Sequence, residues 1–297
     1  MILEKIVSQY TNYLTIRHIK KRYNINTAQR VLVQYILNKE QIFRDDGKVI
    51  YKNIIEVRVN KNSREPLNLP KNEIIERLEK EKHFLIDLSL YHLHHRKGKK
   101  SLLIQVSQSL KEIREYLFDT NLILIGDLDY SFLGKNMVKI YKNRKEFLFE
   151  RFRGIILDPC AEDVLTDEDV KKYDLFILGG IVDVGLNWHG ATSYLFRNLD
   201  LPRKKIVLNG NIKGVPDRIN ILIKVILETY YKNIPLERAI VMNQTKKDIL
   251  ERVWYEVKQH KINNTIKKES LREIIKYVNV SEEWLIRFLK KHRIRIE

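Results

Sequence analysis

Four apolar runs in this chain of 297 residues end in an aspartate: FLID (84–87), LILIGD (122–127), GIILD (154–158) and LFILGGIVD (175–183). A carboxylate can take or hold a proton, and open parallel sheets bind ligands beyond the carboxyl ends of their strands. Asp87, Asp127, Asp158 and Asp183 therefore stand where chemistry would be done, if these runs are strands. Aspartate is also common at turns and helix starts, so one or two functional members among the four is the expectation. The most informative stretch is LFILGGIVDVGLNWHGATSYLFRNL (175–199), where Gly179-Gly180, ahead of Asp183, lets a ligand or another backbone segment come close. A second glycine-bearing loop, IVLNGNIKGVPDRINILIKVILE (206–228), carries Asn209, Gly210 and Gly214 into a long helix. Asp217 there reads both as that helix's N-cap and as a second acid. Two such loops could cradle a nucleotide-like ligand through backbone groups.

Other chemistries lack their signatures. No GxGxxG follows a strand, and GxxxxGK[ST], HExxH and GxSxG are missing, which weighs against dinucleotide, P-loop, zincin and serine-hydrolase chemistry. One cysteine, Cys160, excludes a disulfide framework and multi-thiolate zinc sites. The histidines of YHLHHRKGKK (91–100) have no acidic or thiol neighbour, so no metal is expected there and a phosphate-facing loop is.

The elements that must position these groups follow from periodicity. Short apolar runs alternate with helical patterns such as Leu102, Leu103, Val106, Leu110, Ile113 and Leu117, which argues for a parallel sheet covered on both faces. KIVL (205–208) reads as its last strand. This core is placed at 82–234. An N-terminal α+β part (1–75) reads as a helix from residue 3, a basic helix near 27–38 and strands near 48–59, with 61–73 as linker. A C-terminal part (236–297) reads as helices near 245–258, 268–277 and 281–291, either a helix-turn-helix-like nucleic-acid binder or a packing appendage. Lys and Arg number 55 against 38 acids, for a net charge of +17. Seven of the excess charges lie in 1–80 and six in 236–297, so a nearly balanced core is flanked by basic ends suited to a polyanion. No run is long enough to span a membrane and residues 1–20 lack a signal-peptide layout, so a soluble cytoplasmic protein is expected.

LFILGGIVDVGLNWHGATSYL with IVLNGNIKGVPDRINILIKVIL resembles the tRNA position-9 purine N1-methyltransferases of the SPOUT superfamily. FLIDLSL (84–90), SLLIQVSQSLKEIREYL (101–117), IILDPCAEDVL (155–165) and PLERAIVMNQ extend the likeness over roughly 82–243, and the ends look like those of archaeal members. The resemblance implies an open, mostly parallel sheet with a C-terminal trefoil knot, S-adenosylmethionine as cofactor, tRNA as partner and a monomer. It matches Asp183 to the general base, and Asp87 and Gln105 to positions facing the target nucleotide. Leu157, Gly179, Gly180, Asp183, Val184, Gly185, Leu186, Asn187, Leu208, Asn209, Gly210, Val215, Ile219 and Asn220 are matched to the cofactor site. VGLNWHG and PDRIN depart from the eukaryotic pattern after the catalytic aspartate and at the last helix. The implied product is 1-methyladenosine at position 9, with 1-methylguanosine as the alternative. Arg17, Lys20, Lys21 and Arg22, then Lys142, Arg144, Lys145, Arg151 and Arg153, are the cations expected to hold tRNA phosphates. The competing readings are a non-catalytic nucleic-acid binder and a Rossmann-like dehydrogenase.

Overall fold

A computed structural model describes residues 2–19, 27–182 and 188–297. The N-terminal part comprises α1 (Ile2–Val7), β1 (Tyr13–Ile16), α2 (Ala28–Ile36), β2 (Lys48–Lys52), β3 (Glu56–Val59) and α3 (Lys71–Leu78). Its three-stranded sheet runs β1-β3-β2, with β1 parallel and β2 antiparallel to β3. Thr27 starts α2 by accepting the Arg30 amide on its hydroxyl. The strands expected near 48–59 are β2 and β3, paired as a hairpin. The stretch read as linker ends in α3, whose Ile74 and Leu78 join the N-terminal apolar cluster together with Phe118 from the core.

The core comprises β4 (His83–Asp87), α4 (Arg96–Arg114), β5 (Leu122–Ile125), β6 (Lys139–Tyr141), β7 (Gly154–Leu157), α5 (Asp167–Lys172), β8 (Leu175–Gly179), α6 (Ala191–Leu195), β9 (Arg203–Lys204) and α7 (Ile219–Tyr231). Six parallel strands lie in the order β6-β5-β4-β8-β7-β9. Alternate strand residues serve opposite faces. Phe84, Ile86, Leu122, Leu124, Phe176 and Leu178 pack with residues of α4, α5 and α7, whereas Leu85, Ile123, Ile156 and Ile177 pack with Phe147, Leu195 and Phe196. Burial on both sides explains why these runs are continuously apolar rather than alternating.

KIVL is not a sheet strand. Lys205 donates its amide to the Asp163 carbonyl and accepts from the Leu165 amide, so its backbone is engaged outside the sheet, and β9 ends at Lys204. The C-terminal part comprises α8 (Leu236–Met242), α9 (Lys246–His260), β10 (Thr265–Ile266), α10 (Lys268–Lys276), α11 (Glu282–Lys291) and β11 (Arg295–Ile296), with its own apolar cluster around Val253, Leu271 and Leu285. No helix among the described residues is long and apolar enough to cross a membrane.

Candidate active site

The chain reverses its direction of travel across the sheet between β4 and β8, which is where open α/β sheets place ligands. There Gly180 donates its amide to the Asp87 carbonyl at 2.7 Å. A Cβ on Gly180 would lie 2.6 Å from that oxygen, so only glycine lets β8 run out so close to β4. Beyond the carboxyl ends of β7 and β8 opens a cleft of about 540 Å³. Gln105, Leu157, Gly179, Asp217 and Ile219, all expected at the site, line it, and so do Asp158, Trp188 and Lys247. A second cavity, of about 370 Å³, lies between α2 and α4. Its wall includes Arg30 paired with Glu115, and it lies apart from the strand-end acids.

Two of the expected acids have other partners. Asp217 does not cap α7. Its carboxylate reaches Lys247 of α9 at 2.7 Å and holds that ammonium above its ordinary pKa, and both side chains are exposed. The capping task falls to Gln105, a buried residue of α4 whose Oε1 accepts the Ile219 amide at 3.0 Å. Asp87 is fully buried. Its Oδ2 accepts Arg144 Nε at 2.5 Å and its Oδ1 the Ser89 amide at 2.9 Å. Arg144 also donates to the Leu195 carbonyl at 2.5 Å, so a guanidinium expected on phosphate is engaged inside the protein. Neither Asp87 nor Arg144 lines the cleft.

Asp158 is a buried carboxylate in the cleft wall, accepting Ser193 Oγ at 2.6 Å and the Cys160 amide at 3.0 Å. The fourth strand-end acid of the sequence, Asp127, is exposed. Asp183, with Val184, Gly185, Leu186 and Asn187, lies outside the described residues. Leu208 is buried, while Asn209 and Gly210 form an exposed turn at positive φ (48° and 72°). The Asn209 amide donates to Glu237 and the Leu208 carbonyl accepts from Arg252, so this loop faces α8 and α9. It does not line the cleft, nor do Val215 and Asn220, and the buried Asn220 Oδ1 has no partner among the described residues.

Each ring of the histidine cluster has a local hydrogen bond, while Arg96, Lys97 and Lys100 beside them are exposed. His92 Nδ1 meets the Ser89 carbonyl at 3.0 Å, and His95 caps α4 by accepting the Gly98 amide at 2.9 Å. His94, 3 % exposed, turns inward against Val182 and Trp188. Nothing in its spacing distinguished it from its neighbours. Among the expected tRNA contacts, Arg17 lies over the Phe43 ring and donates to the Ser63 carbonyl, and Arg153 pairs with Asp174 at 2.7 Å. Lys142, Lys145 and Arg151 are exposed, and Lys20, Lys21 and Arg22 lie outside the described residues.

No family model matches the sequence. Among curated proteins, the chain is 30% identical over 265 residues to a tRNA (adenine(9)-N1)-methyltransferase of Sulfolobus acidocaldarius, covering 86% of this chain and 89% of that protein. It is 29% identical over 247 residues to a tRNA (guanine(9)-/adenine(9)-N1)-methyltransferase of Thermococcus kodakarensis, covering 76% of this chain and 66% of that one. Among solved structures, Sulfolobus acidocaldarius Trm10 in complex with S-adenosylhomocysteine superposes with a TM-score of 0.73 at 23% identity, over 98% of this chain and 97% of that chain. At 30% identity over most of both sequences, the chain belongs to the Trm10 family of tRNA position-9 N1-methyltransferases.

Proposed function

We propose that this protein transfers a methyl group from S-adenosylmethionine to N1 of the purine at position 9 of tRNA, with adenine preferred over guanine. The observation that carries the reading is the 30% identity to the Sulfolobus adenine-9 enzyme over 86% of this chain. The cleft supports it. Its volume of about 540 Å³ suits a small-molecule site. Its wall combines apolar residues such as Leu157, Val182 and Ile219 with polar ones such as Gln105, Asp158 and Asp217, and the enclosed Trp188 Nε1–H has no hydrogen-bond partner among the described residues.

S-adenosylmethionine supplies a methyl group already activated by a positively charged sulfur. The protein's own task is then alignment and proton handling. Leu157, Gly179 and Ile219, in the cleft wall, hold the donor, and the resemblance adds Gly180, Val184 and Gly185; Leu208, Asn209, Gly210, Val215 and Asn220, which the resemblance also matches to the donor, stand off the cleft wall. Asp183 is the base. With guanine, its carboxylate takes the N1 proton as the N1–methyl bond forms. With adenine, whose N1 has a free lone pair, it takes an exocyclic amine proton or stabilises the positive charge of the product. Gln105 faces the target base, and Asp217 with Lys247 stands at the mouth. The base must be turned out of the tRNA stack, and the basic flanks offset that cost through phosphate contacts from Arg17, Lys20, Lys21, Arg22, Lys142, Lys145, Arg151 and Arg153. In this reading the core (82–234) is threaded as a trefoil knot, the domains 1–75 and 236–297 flank it, and the enzyme acts as a cytoplasmic monomer.

Incubation of the purified chain with S-adenosylmethionine and tRNA transcripts bearing A or G at position 9, followed by nucleoside mass spectrometry, tests this. The expected product is 1-methyladenosine from the A transcript at the higher rate. Product from G alone overturns the base preference, and no product from either overturns the enzyme reading.

A further inference from the structure

We infer that His94 is a positioning residue for the catalytic wall of the cleft, its neutral ring fixing Val182 and Trp188, the described residues on either side of the 183–187 segment. The inference rests on the reading of Asp183 as the base. His94 Nδ1 lies 3.1 Å from the Leu90 carbonyl oxygen, and its Nε2 lies 3.1 Å from the Val182 amide nitrogen. A carbonyl demands a donor and an amide N–H demands an acceptor. Only the neutral ring with its hydrogen on Nδ1 satisfies both. A second proton would set N–H against N–H inside the protein and leave the Val182 amide unpaired.

The same ring stacks on Trp188, with centroids 5.1 Å apart and planes 24° from parallel. Val182 and Trp188 both line the cleft, so one buried imidazole fixes the wall before and after the segment that carries Asp183. Burial holds the His94 pKa below the usual histidine value. The Leu90 and Tyr91 carbonyls oppose that shift, and His95 and Lys99 on α4 reinforce it. From the cleft side, the described groups in contact are the Val182 amide and the uncharged indole.

Two variants separate the two contacts in the full-length protein. His94→Phe keeps a ring against Trp188 and removes the acceptor, whereas His94→Gln supplies an acceptor that does not titrate. Both are compared with wild type for kcat, for KM of S-adenosylmethionine and of tRNA, and for pH profile from about pH 5 to 8, where histidines change charge. His94→Phe is expected to lose about 10- to 100-fold in kcat with the tRNA KM unchanged, as expected for a misplaced reacting group. His94→Gln is expected to recover most of kcat at neutral pH and to lack the part of the wild-type acid decline that His94 contributes. Wild-type indole fluorescence should fall on acidification, and this component should be absent from His94→Gln and Trp188→Phe. The Trp188→Phe control is needed because Trp254 also contacts a histidine, His292. Unchanged kcat in a folded His94→Phe, or an acid limb identical in His94→Gln and wild type, overturns the inference. If His94→Phe does not fold, the His94→Gln profile and the fluorescence decide. Wild type inactive on every tRNA defeats the functional reading instead, and the fluorescence titration still tests the contacts.

Discussion

His83, in β4, is 1 % exposed, with its ring edge-on to Phe152 at 5.0 Å. Burial pushes its pKa from 6.5 down to about 4. Between those values the unfolded chain binds a proton that the folded chain excludes, so stability rises with pH across this window. The contribution is complete above pH 6.5 and declines as pH falls through about 4, by about 3 kcal/mol in all. Urea unfolding of wild type and His83→Phe at several pH values should show wild type losing stability relative to the variant on acidification. A constant difference would mean that His83 does not titrate in this way. Arg144 makes a related point about charge. From sequence it is one of a run of exposed cations, yet it pairs with an aspartate 57 positions away, and no local pattern encodes such a partner. Lys142 and Lys145, beside it, are the exposed ones.

At the scale of elements, α7 depends on α4 for its start. Its N-cap residue, Arg218, makes no side-chain capping bond, and the Ile219 amide is satisfied by Gln105, 114 positions earlier. Gln105→Met fills similar space without an acceptor, and should cost about 1–3 kcal/mol by leaving that buried amide unpaired. Gln105→Glu retains the acceptor and should cost less, as read from urea midpoints. The same elements show what sequence periodicity can and cannot reveal. FLID, LILI, GIIL and LFILG became β4, β5, β7 and β8, because burial on both faces leaves a plain apolar signature. KIVL carries that signature too, but its backbone partners are residues 163 and 165, which composition does not reveal. The strands β6, β10 and β11 are each three residues or fewer, too short for a period to register. The glycine-lined cleft was legible from Gly179-Gly180, whereas the roles of Gln105 and His94 emerge only once distant segments are packed together.

Across the whole molecule, the C-terminal part grips the loop that leads into α7. Arg252 of α9 is fully buried, donates to the Leu208 carbonyl at 2.7 Å and the Lys213 carbonyl at 3.1 Å, and pairs with buried Glu256 at 2.5 Å. Gly214 packs so closely beneath it that a Cβ there would lie 2.4 Å from the Arg252 Cβ, at a φ of +77°. Gln244 adds a hydrogen bond to the Gly214 carbonyl at 3.0 Å. Packing is thus one task of a part whose basic charge suggested nucleic-acid binding. Arg252→Met should cost about 3–5 kcal/mol, because Glu256 is left as an uncompensated buried charge. Hydrogen exchange at residues 208–214 should quicken with it, and unchanged exchange there would show that the loop stands without α9. The margins of the six-stranded sheet carry a different consequence. β6 and β9, the outermost strands, have three and two residues. Edges that short offer little template for a neighbouring molecule to zip onto, which guards an otherwise long apolar parallel sheet against fibrillar association at high concentration.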